Sequence, residues 1–288
     1  MERHTRSYLQ LIKPGITLSN TLSGMAGFFL AASIVSFSWT TFIGAIGGIA
    51  LVIASACVAN NILDRDIDKR MKRTLKRDVA NGVISIPKAL AFSATLGIAG
   101  FVLLAVWTNP LTLVLGGVAY IWYVAIYGIA KRTTPLSTLI GAVPGALPPM
   151  AGYVALTGQI DVAAVLLFTT LFFWQLPHFY AISMFRRSDY ADANLPVWAV
   201  KYGMKSTKLQ IFISVVLYAI ATASLTLFGY TGITYLVISS ALSLYWIYKG
   251  AVLYRRDDDV KWAKIMFGIS LLVLLSMCLL ISVGGYLA

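Results

Sequence analysis

The chain has 288 residues, of which 59% are hydrophobic and only 12% are charged, and its formal net charge is +12. An ordinary soluble domain has about 25% charged residues. The composition therefore excludes that class and indicates an integral membrane protein. We interpret residues 1–288 as one membrane-embedded domain.

Apolar stretches in chain order predict an all-α, polytopic fold. They run approximately over 14–33, 39–63, 87–108, 111–130, 136–156, 162–185, 207–228, 231–249 and 263–286. Each is near or above the roughly 20 residues that cross the hydrocarbon core of a bilayer, so we count nine transmembrane helices. The first stretch follows basic residues and resembles a signal sequence, but it is rather long for one, and we expect it to be a retained helix.

Charge distribution predicts the orientation in the membrane. All 23 Lys and Arg residues fall in the N-terminal segment or in even-numbered loops, whereas the odd-numbered loops carry one charge, Asp161. The positive-inside rule then places the N-terminus and the basic loops in the cytoplasm and the C-terminus outside. The excess of positive charge would also suit anionic lipids or an anionic substrate, and orientation alone explains it equally well.

Asn60, Asp64 and Asp68 lie at four-residue intervals where the second apolar segment ends. On a helix this spacing puts the three side chains in one stripe of oxygens. Mg²⁺ prefers such carboxylates together with water and phosphate oxygens. The basic residues that follow could hold the remaining phosphate charge; they include Arg65, Lys69, Arg70, Lys72, Arg73, Lys76 and Arg77. The pattern favours a diphosphate site, but charges at a helix end can also mark only the point where the chain enters water.

A second polar cluster follows the sixth apolar segment. It contains Arg186, Asp189, Asp192 and Lys201 and is predicted to lie on the same, cytoplasmic side. Two carboxylate groups surrounded by cations would match the charge of a diphosphate. Solvated loop charges explain the same residues equally well.

Two further groups of residues are candidates for the interior. Trp174 and His178 lie within the sixth apolar segment, where polar groups are costly and are candidates for function. His178 could bind iron, act as an acid or base, or make an interhelical hydrogen bond. Tyr120, Tyr123 and Tyr127, followed by Lys131, share one helix face, which could stabilise a carbocation or could be an ordinary packed aromatic face. The two cysteines, Cys57 and Cys278, lie inside predicted helices and indicate no disulfide.

The run from Asn60 to Asp68 resembles the NxxxDxxxD signature of the intramembrane UbiA-type prenyltransferase superfamily. Further motifs resemble its haem O synthase branch: Lys131-Arg132-Thr133-Thr134-Pro135, Gly141 to Gly145 with Pro148-Pro149 and Gly152-Tyr153, and Trp174-Gln175-Leu176-Pro177-His178. The resemblance runs from Lys13-Pro14-Gly15 over nearly the whole chain. It implies nine helices around a central cavity in a bacterial inner membrane, with the active-site loops facing the cytoplasm.

The resemblance also implies a reaction. Farnesyl diphosphate would alkylate a vinyl group of haem B, with water supplying a hydroxyl, to give haem O. Asn60, Asp64 and Asp68 would hold Mg²⁺ against the diphosphate, with Lys72 and Arg73 as cationic partners. Catalytic roles would extend to Tyr120 and Tyr123, and substrate contacts to Arg65, Lys131, Arg132, Trp174 and His178.

One departure concerns the second motif, because the two acids after the sixth helix are three residues apart instead of four. We therefore expect Asp189 to contact metal, with Arg186 and Lys201 beside it, and we do not expect this of Asp192. The product would pass to a haem-copper terminal oxidase or a haem A synthase, and no nucleic acid is expected as a partner. The alternatives are an aromatic-ring prenyltransferase of the quinone type, which a regular DxxxD would favour, and a transporter of organic anions.

Overall fold

The computed structural model describes residues 2–254 and 258–287, in which the regular structure is entirely helical. The helices are α1 (Glu2–Leu11), α2 (Pro14–Ala32), α3 (Trp39–Leu63), α4 (Arg65–Asp68), α5 (Ile86–Trp107), α6 (Pro110–Ile121), α7 (Tyr127–Thr133), α8 (Ser137–Thr157), α9 (Val162–Phe185), α10 (Arg187–Asp192), α11 (Trp198–Leu227), α12 (Ile233–Val252) and α13 (Asp259–Gly284). A π-helical turn (Trp122–Ile126) joins α6 to α7, and a 3₁₀ turn (Gly285–Leu287) follows α13.

Seven helical stretches among the described residues are long and apolar enough to cross a membrane. They are α3, α5, the continuous stretch Pro110–Thr133, α8, α9, α11 and α13. The all-helical prediction is thus confirmed for the described residues. The other two predicted segments, 14–33 and 231–249, coincide with α2 and α12, which are helical but do not belong to the seven.

The start of α11 differs from the sequence prediction, which began this segment near residue 207. Helical structure already begins at Trp198 and is interrupted at Gly203, whose φ of 79° lies in the left-handed region. Glycine adopts this conformation without a steric penalty. The chain therefore adds a short helical piece, Trp198 to Tyr202, before the apolar part of α11.

Helix starts are set by proline and by capping side chains. Pro14, Pro87 and Pro110 each occupy the first turn of a helix, where a missing N–H is harmless. At the start of α9, Asp161 Oδ1 accepts a hydrogen bond from the Ala164 N–H at 3.0 Å. Asp161 Oδ2 also accepts the Tyr153 hydroxyl proton at 2.8 Å, so the single charge between α8 and α9 ties the two helices together.

Glycine allows α2 and α8 to approach at backbone contact distance. A Cβ on Gly27 would lie 1.9 Å from the Pro149 carbonyl oxygen, and a Cβ on Gly152 would lie 1.9 Å from the Gly24 carbonyl oxygen. Small residues at such crossings are the usual means of close helix packing in membranes. The crossing holds α2 and α8 together, and both helices line the interior cavity.

The helices surround a cavity of about 620 Å³. Its walls come from α2, α3, the α6–α7 stretch, α8, α9 and α13, while α11 and α12 pack against the outer sides of α9 and α13. The volume is within the roughly 300–1,000 Å³ of small-molecule sites. The bundle therefore carries an interior site rather than a solid core.

Candidate active site

Asn60, Asp64 and Asp68 lie on consecutive helical turns along one wall of the cavity. The Asp64 N–H donates to the Asn60 carbonyl oxygen at 2.9 Å, and the Asp68 N–H donates to the Asp64 carbonyl oxygen at 2.8 Å. The i to i+4 pattern thus continues from α3 through its C-cap, Asp64, into α4. All three residues are buried and line the cavity, so the stripe of oxygens forms as the spacing indicates.

The Asn60 side chain contacts Lys13, a residue that the sequence analysis did not assign to the site. Lys13 Nζ donates to Asn60 Oδ1 at 2.7 Å. Lys13 separates α1 from α2 and has φ 49°, a left-handed conformation that is unusual for a non-glycine residue. Loss of hydration in the cavity lowers the pKa of the Lys13 ammonium to about 8. The signal for Lys13 was its place before Pro14 in the first matching motif.

Cations also pair with the two carboxylates. Lys131 Nζ contacts the carboxylate of Asp64. Arg77 Nη1 donates to both oxygens of Asp68 at 2.8 Å. Each oxygen group of the stripe is therefore paired with its own cation in this structure. Arg77 belongs to the basic run after Asp68, and nothing in the sequence distinguishes it from the other cations of that run.

Arg132 lies beside the site but does not line the cavity. Its guanidinium donates to both oxygens of Asp66, at 2.7 and 2.8 Å, and to the Leu63 carbonyl oxygen at 2.6 Å. The hydrogen bonds from Arg132 lower the pKa of the Asp66 carboxyl to about 2. This exposed pair joins α7 to the junction of α3 and α4.

Three tyrosines form the next part of the wall. Tyr120, Tyr123 and Tyr127 all line the cavity, and the rings of Tyr123 and Tyr127 stack with centroids 5.6 Å apart. Lys131 Nζ lies 5.4 Å from the Tyr127 ring centroid. A Cβ on Gly141 would lie 2.7 Å from this ring, so α8 needs glycine there.

The tyrosine wall contains a π-helical turn that the sequence analysis did not predict. The Tyr127 N–H donates to the carbonyl of Trp122, five residues earlier, instead of four. Such single-turn π bulges are frequent at functional sites. Its effect is to change the helical phase between Tyr120 and Tyr127 while both still face the cavity.

Trp174 and His178 form the wall contributed by α9, and both are held by Ser270 of α13. The Trp174 indole N–H donates to the Ser270 carbonyl oxygen at 2.8 Å, and His178 Nδ1 lies 2.7 Å from Ser270 Oγ. The two rings stack with centroids 5.0 Å apart. An interhelical hydrogen bond, one of the three alternatives for His178, is therefore present, and the ring also lines the cavity.

The second polar cluster is placed differently. Asp189 is buried, yet it is not among the cavity-lining residues, and its nearest cation is Arg186, whose Nη1 lies 3.8 Å from Oδ2. The next residue, Tyr190, does line the cavity. Lys201 and Asp192 are exposed.

The structure brings together nine of the predicted site residues in one cavity: Asn60, Asp64, Asp68, Arg73, Tyr120, Tyr123, Lys131, Trp174 and His178. It leaves six outside the cavity lining: Arg65, Lys72, Arg132, Arg186, Asp189 and Lys201. Lys72 is exposed, and Arg65 lines a separate recess of about 300 Å³ with Lys69. The structure gives the placement of these residues, and the roles assigned to all fifteen remain predictions.

The donor set of the stripe is compatible with Mg²⁺. No group of three His, Cys, Asp or Glu side chains that could hold a metal occurs within residues 2–254 and 258–287. Two carboxylates and an amide oxygen nevertheless suit Mg²⁺, which keeps several waters and takes phosphate oxygens from its substrate. Within the same described part of the chain, Asn60 Nδ2 is buried and has no hydrogen-bond partner. A phosphate oxygen beside the metal would satisfy this donor.

Comparisons with known proteins identify the family of the chain. Residues 20–276 match the model of the UbiA prenyltransferase family. The chain is 41% identical over 284 residues to protoheme IX farnesyltransferase 2 of Pseudomonas entomophila, covering 98% of this chain and 96% of that protein. It is 42% identical over 279 residues to the protoheme IX farnesyltransferase of Salmonella arizonae, covering 96% and 94%. The chain therefore belongs to the UbiA prenyltransferase family, among the protoheme IX farnesyltransferases.

Solved structures show the same fold at lower sequence identity. A digeranylgeranylglyceryl phosphate synthase aligns with a TM-score of 0.81 at 21% identity, covering 99% of both chains. A UbiA homologue of Archaeoglobus fulgidus, solved with GPP and Mg²⁺, aligns with a TM-score of 0.68 at 18% identity, covering 96% of this chain and 99% of that one. These likenesses establish the helical architecture.

Proposed function

We propose that this protein transfers a farnesyl group from farnesyl diphosphate to a vinyl group of haem B, with addition of water, and releases haem O and diphosphate. The observation that carries the proposal is the single cavity that contains both the oxygen stripe with its cations and the wall of Trp174 and His178. The relatives that are 41% and 42% identical over nearly the whole chain are named protoheme IX farnesyltransferases.

The proposed topology has nine spans in one domain, with α2 and α12 added to the seven helices that are long and apolar enough by themselves. The N-terminus and the stripe would face the cytoplasm and the C-terminus the outside of a bacterial inner membrane. Asp161 is the one charged residue of the odd-numbered loops. It caps the N-terminus of α9, whereas His178 and Arg186 lie towards or beyond the C-terminus of that helix. This separation supports the orientation, because the cations gather at one end.

The diphosphate would bind at the stripe. Asn60, Asp64 and Asp68 would hold Mg²⁺, which would supply charge stabilisation for the leaving diphosphate. The three cations that now pair with the stripe, Lys13, Lys131 and Arg77, are within reach of the same oxygens. They would turn from the protein oxygens to the phosphate oxygens, where their positive charge favours departure of the diphosphate with the bonding electron pair.

Asp189 remains our candidate for a further metal contact. Its Oδ2 is buried without a hydrogen bond among the described residues, and its one cation, on Arg186, is 3.8 Å away. Arg186, Lys201 and Lys72 would serve as outer cations around a charged substrate. A small shift of α10 would be needed to bring Asp189 to the cavity, because only the neighbouring Tyr190 lines it now.

The tyrosine wall lies next to Lys131 in the cavity and would receive the allylic cation that remains after the diphosphate leaves. The faces of Tyr120, Tyr123 and Tyr127 are electron-rich and attract a cation. The apolar remainder of the cavity keeps water away until the farnesyl carbon has bonded to the vinyl group. This bond leaves a positive charge on the vinyl carbon that is attached to the porphyrin. Water adds to that carbon and loses a proton, which gives the hydroxyl group of haem O and balances the reaction.

The test is incubation of the purified protein in detergent with haem B, farnesyl diphosphate and Mg²⁺, followed by chromatography and mass spectrometry of the extracted haems. We expect a later-eluting haem that carries the hydroxyethylfarnesyl group. Asp64→Asn should abolish it, and Asp192→Asn, which alters an exposed acid away from the cavity, should not. No new haem from the wild-type protein, together with prenylation of 4-hydroxybenzoate, would replace the proposal with aromatic prenyl transfer.

A further inference from the structure

The hydrogen bonds of Ser270 determine which nitrogen of His178 carries the proton. Ser270 Oγ lies 2.6 Å from the Phe267 carbonyl oxygen, one helical turn earlier in α13, and 2.7 Å from His178 Nδ1. A serine hydroxyl has one proton to donate and can accept as well. The carbonyl oxygen can only accept, so the hydroxyl proton must point to Phe267. The short contact to His178 is then a hydrogen bond in which Nδ1–H donates to Ser270 Oγ.

The opposite arrangement leaves a repulsive contact. If Ser270 donated to His178 Nδ1, the serine oxygen and the Phe267 carbonyl oxygen would face each other at 2.6 Å with no proton between them. Ser270 is completely buried, so water cannot relieve that repulsion. The neutral Nδ1–H form of His178 is therefore the one that the surroundings of Ser270 favour.

The orientation of the imidazole is fixed as well as its protonation. Its ring stacks on that of Trp174, with centroids 5.0 Å apart, and contacts that of Phe267 at 4.7 Å with an angle of 33° between the planes. The Trp174 indole is itself held by the Ser270 carbonyl oxygen. The two ring contacts restrict the plane of the imidazole, and the hydrogen bond to Ser270 sets its rotation within that plane.

These contacts leave His178 Nε2 with a lone pair and, among the described residues, no hydrogen-bond partner, although the side chain lines the cavity. A purely structural hydrogen bond between α9 and α13 would use only Nδ1. It would not require the free lone pair of Nε2 in the cavity. His178 lies seven residues before the end of α9, which is about 10 Å along the helix axis. Nε2 is thus an unprotonated nitrogen whose lone pair can bind a metal inside the apolar part of the bundle.

We propose that Ser270 is a positioning residue that holds His178 in the Nδ1–H form, so that Nε2 binds the iron of the haem substrate as an axial ligand. Metal-bound histidines usually donate their other N–H to a fixed acceptor, which orients the ring and selects its tautomer. Because the imidazole is already neutral, the iron–nitrogen bond forms without release of a proton. The inference rests on the proposed function in that haem B is the acceptor.

The test uses ferrous and ferric haem B added to the purified full-length protein without farnesyl diphosphate, followed by absorption and resonance Raman spectroscopy. We expect an iron–histidine stretch in the wild-type protein, its loss in His178→Ala, and its return when imidazole is added to that variant. Ser270→Ala should weaken haem affinity roughly 10- to 100-fold and shift the stretch, as expected on loss of an outer hydrogen-bond partner.

Ser243→Ala is the matched control, because Ser243 is also a buried serine that donates to its own helix, at 2.8 Å to Ser239, but it lies away from the cavity. Its haem affinity and spectrum should equal those of the wild type. Ser270→Thr, which keeps the hydroxyl, should show the wild-type frequency of the stretch and the wild-type haem affinity. Farnesyl diphosphate binding by each variant shows that the fold is retained.

An iron–histidine stretch that persists in His178→Ala, or a Ser270→Ala protein with the wild-type spectrum and affinity, would overturn the proposal. The two proposals fail in different ways. Wild-type protein that converts haem B to haem O but shows no nitrogen ligand would overturn this inference alone. Wild-type protein that neither binds nor converts haem B would overturn the proposed function and this inference with it.

Discussion

The ammonium of Lys13 lies 2.7 Å from the amide oxygen of Asn60 and joins the start of α2 to the end of α3. Asn60 is the first residue of the NxxxDxxxD stripe, and its amide nitrogen has no partner among the described residues. Lys13 thus pairs with the amide of Asn60, in the same way that Lys131 and Arg77 pair with the two carboxylates of the stripe.

Replacing Lys13 with methionine should weaken use of farnesyl diphosphate. A charged hydrogen bond contributes about 1.5–3 kcal/mol, so kcat/KM for this substrate should fall roughly 10- to 100-fold, while haem B binding is retained. Steady-state kinetics with each substrate varied in turn measures both effects. Lys249→Met removes a cation from the outer helix α12 and serves as the control. Equal kcat/KM in Lys13→Met and the wild type would remove Lys13 from the site.

The pKa of Lys13 predicts an alkaline limb in the activity profile. Burial lowers that pKa to about 8, so the ammonium is present below this pH and is lost as the pH rises through it. Because kcat/KM reports the free enzyme, it should decline above about pH 8. Lys13→Arg keeps its charge at all these pH values and should move the limb upward. An unchanged limb in Lys13→Arg would assign it to another group.

The pair of Lys131 and Asp64 predicts a coupling in stability. Both side chains are almost fully buried, with 10% and 12% of their surface exposed. Lys131→Met leaves the buried Asp64 carboxylate with only the more distant Arg132 Nη2, 3.8 Å from Oδ1, and should destabilise the protein towards the lower end of about 3–5 kcal/mol. Adding Asp64→Asn removes that charge and should recover most of the loss, although turnover stays absent. Thermal unfolding of the single and double variants in detergent measures the coupling, and additive effects would contradict it.

The helices and the oxygen stripe could be predicted from the sequence because both depend on local spacing. Apolar runs of about 20 residues indicate spans wherever they occur, and a four-residue interval places Asn60, Asp64 and Asp68 on one face of any helix. The spacing also predicts a shared face for Tyr120, Tyr123 and Tyr127, but it does not predict the π-helical turn that separates Tyr120 from Tyr127.

The partners of these residues could not be predicted, because they depend on how distant helices pack. Lys13 and Asn60 are 47 residues apart, and His178 and Ser270 are 92 apart. Nothing in the spacing of the basic run distinguishes Arg77, which pairs with the stripe, from Lys72, which is exposed. A prediction from charge alone therefore places more cations in the cavity than the structure does.

The glycine contact between α2 and α8 predicts a large difference between two similar substitutions. Gly27→Ala would place a Cβ 1.9 Å from the Pro149 carbonyl oxygen, so the helices must separate. Overpacking of this kind costs about 1–3 kcal/mol or more. Gly117→Ala meets no atom within 4 Å and should be neutral or slightly stabilising. Thermal unfolding compares the two, and similar midpoints for both variants would show that α2 does not approach α8 so closely.

Removal of metal should stop turnover without unfolding the protein. In this structure each oxygen group of the stripe already has a cation beside it, so the two carboxylates are not left as unpaired buried charges when Mg²⁺ is absent. We expect EDTA to abolish haem O formation, excess Mg²⁺ to restore it, and the unfolding midpoint to stay unchanged throughout. In Lys131→Met the Asp64 carboxylate loses its close cation and keeps only Arg132 at 3.8 Å, and here Mg²⁺ should raise the midpoint, because binding to the folded state stabilises it. A wild-type midpoint that falls on chelation would mean that the metal, rather than these cations, maintains the site.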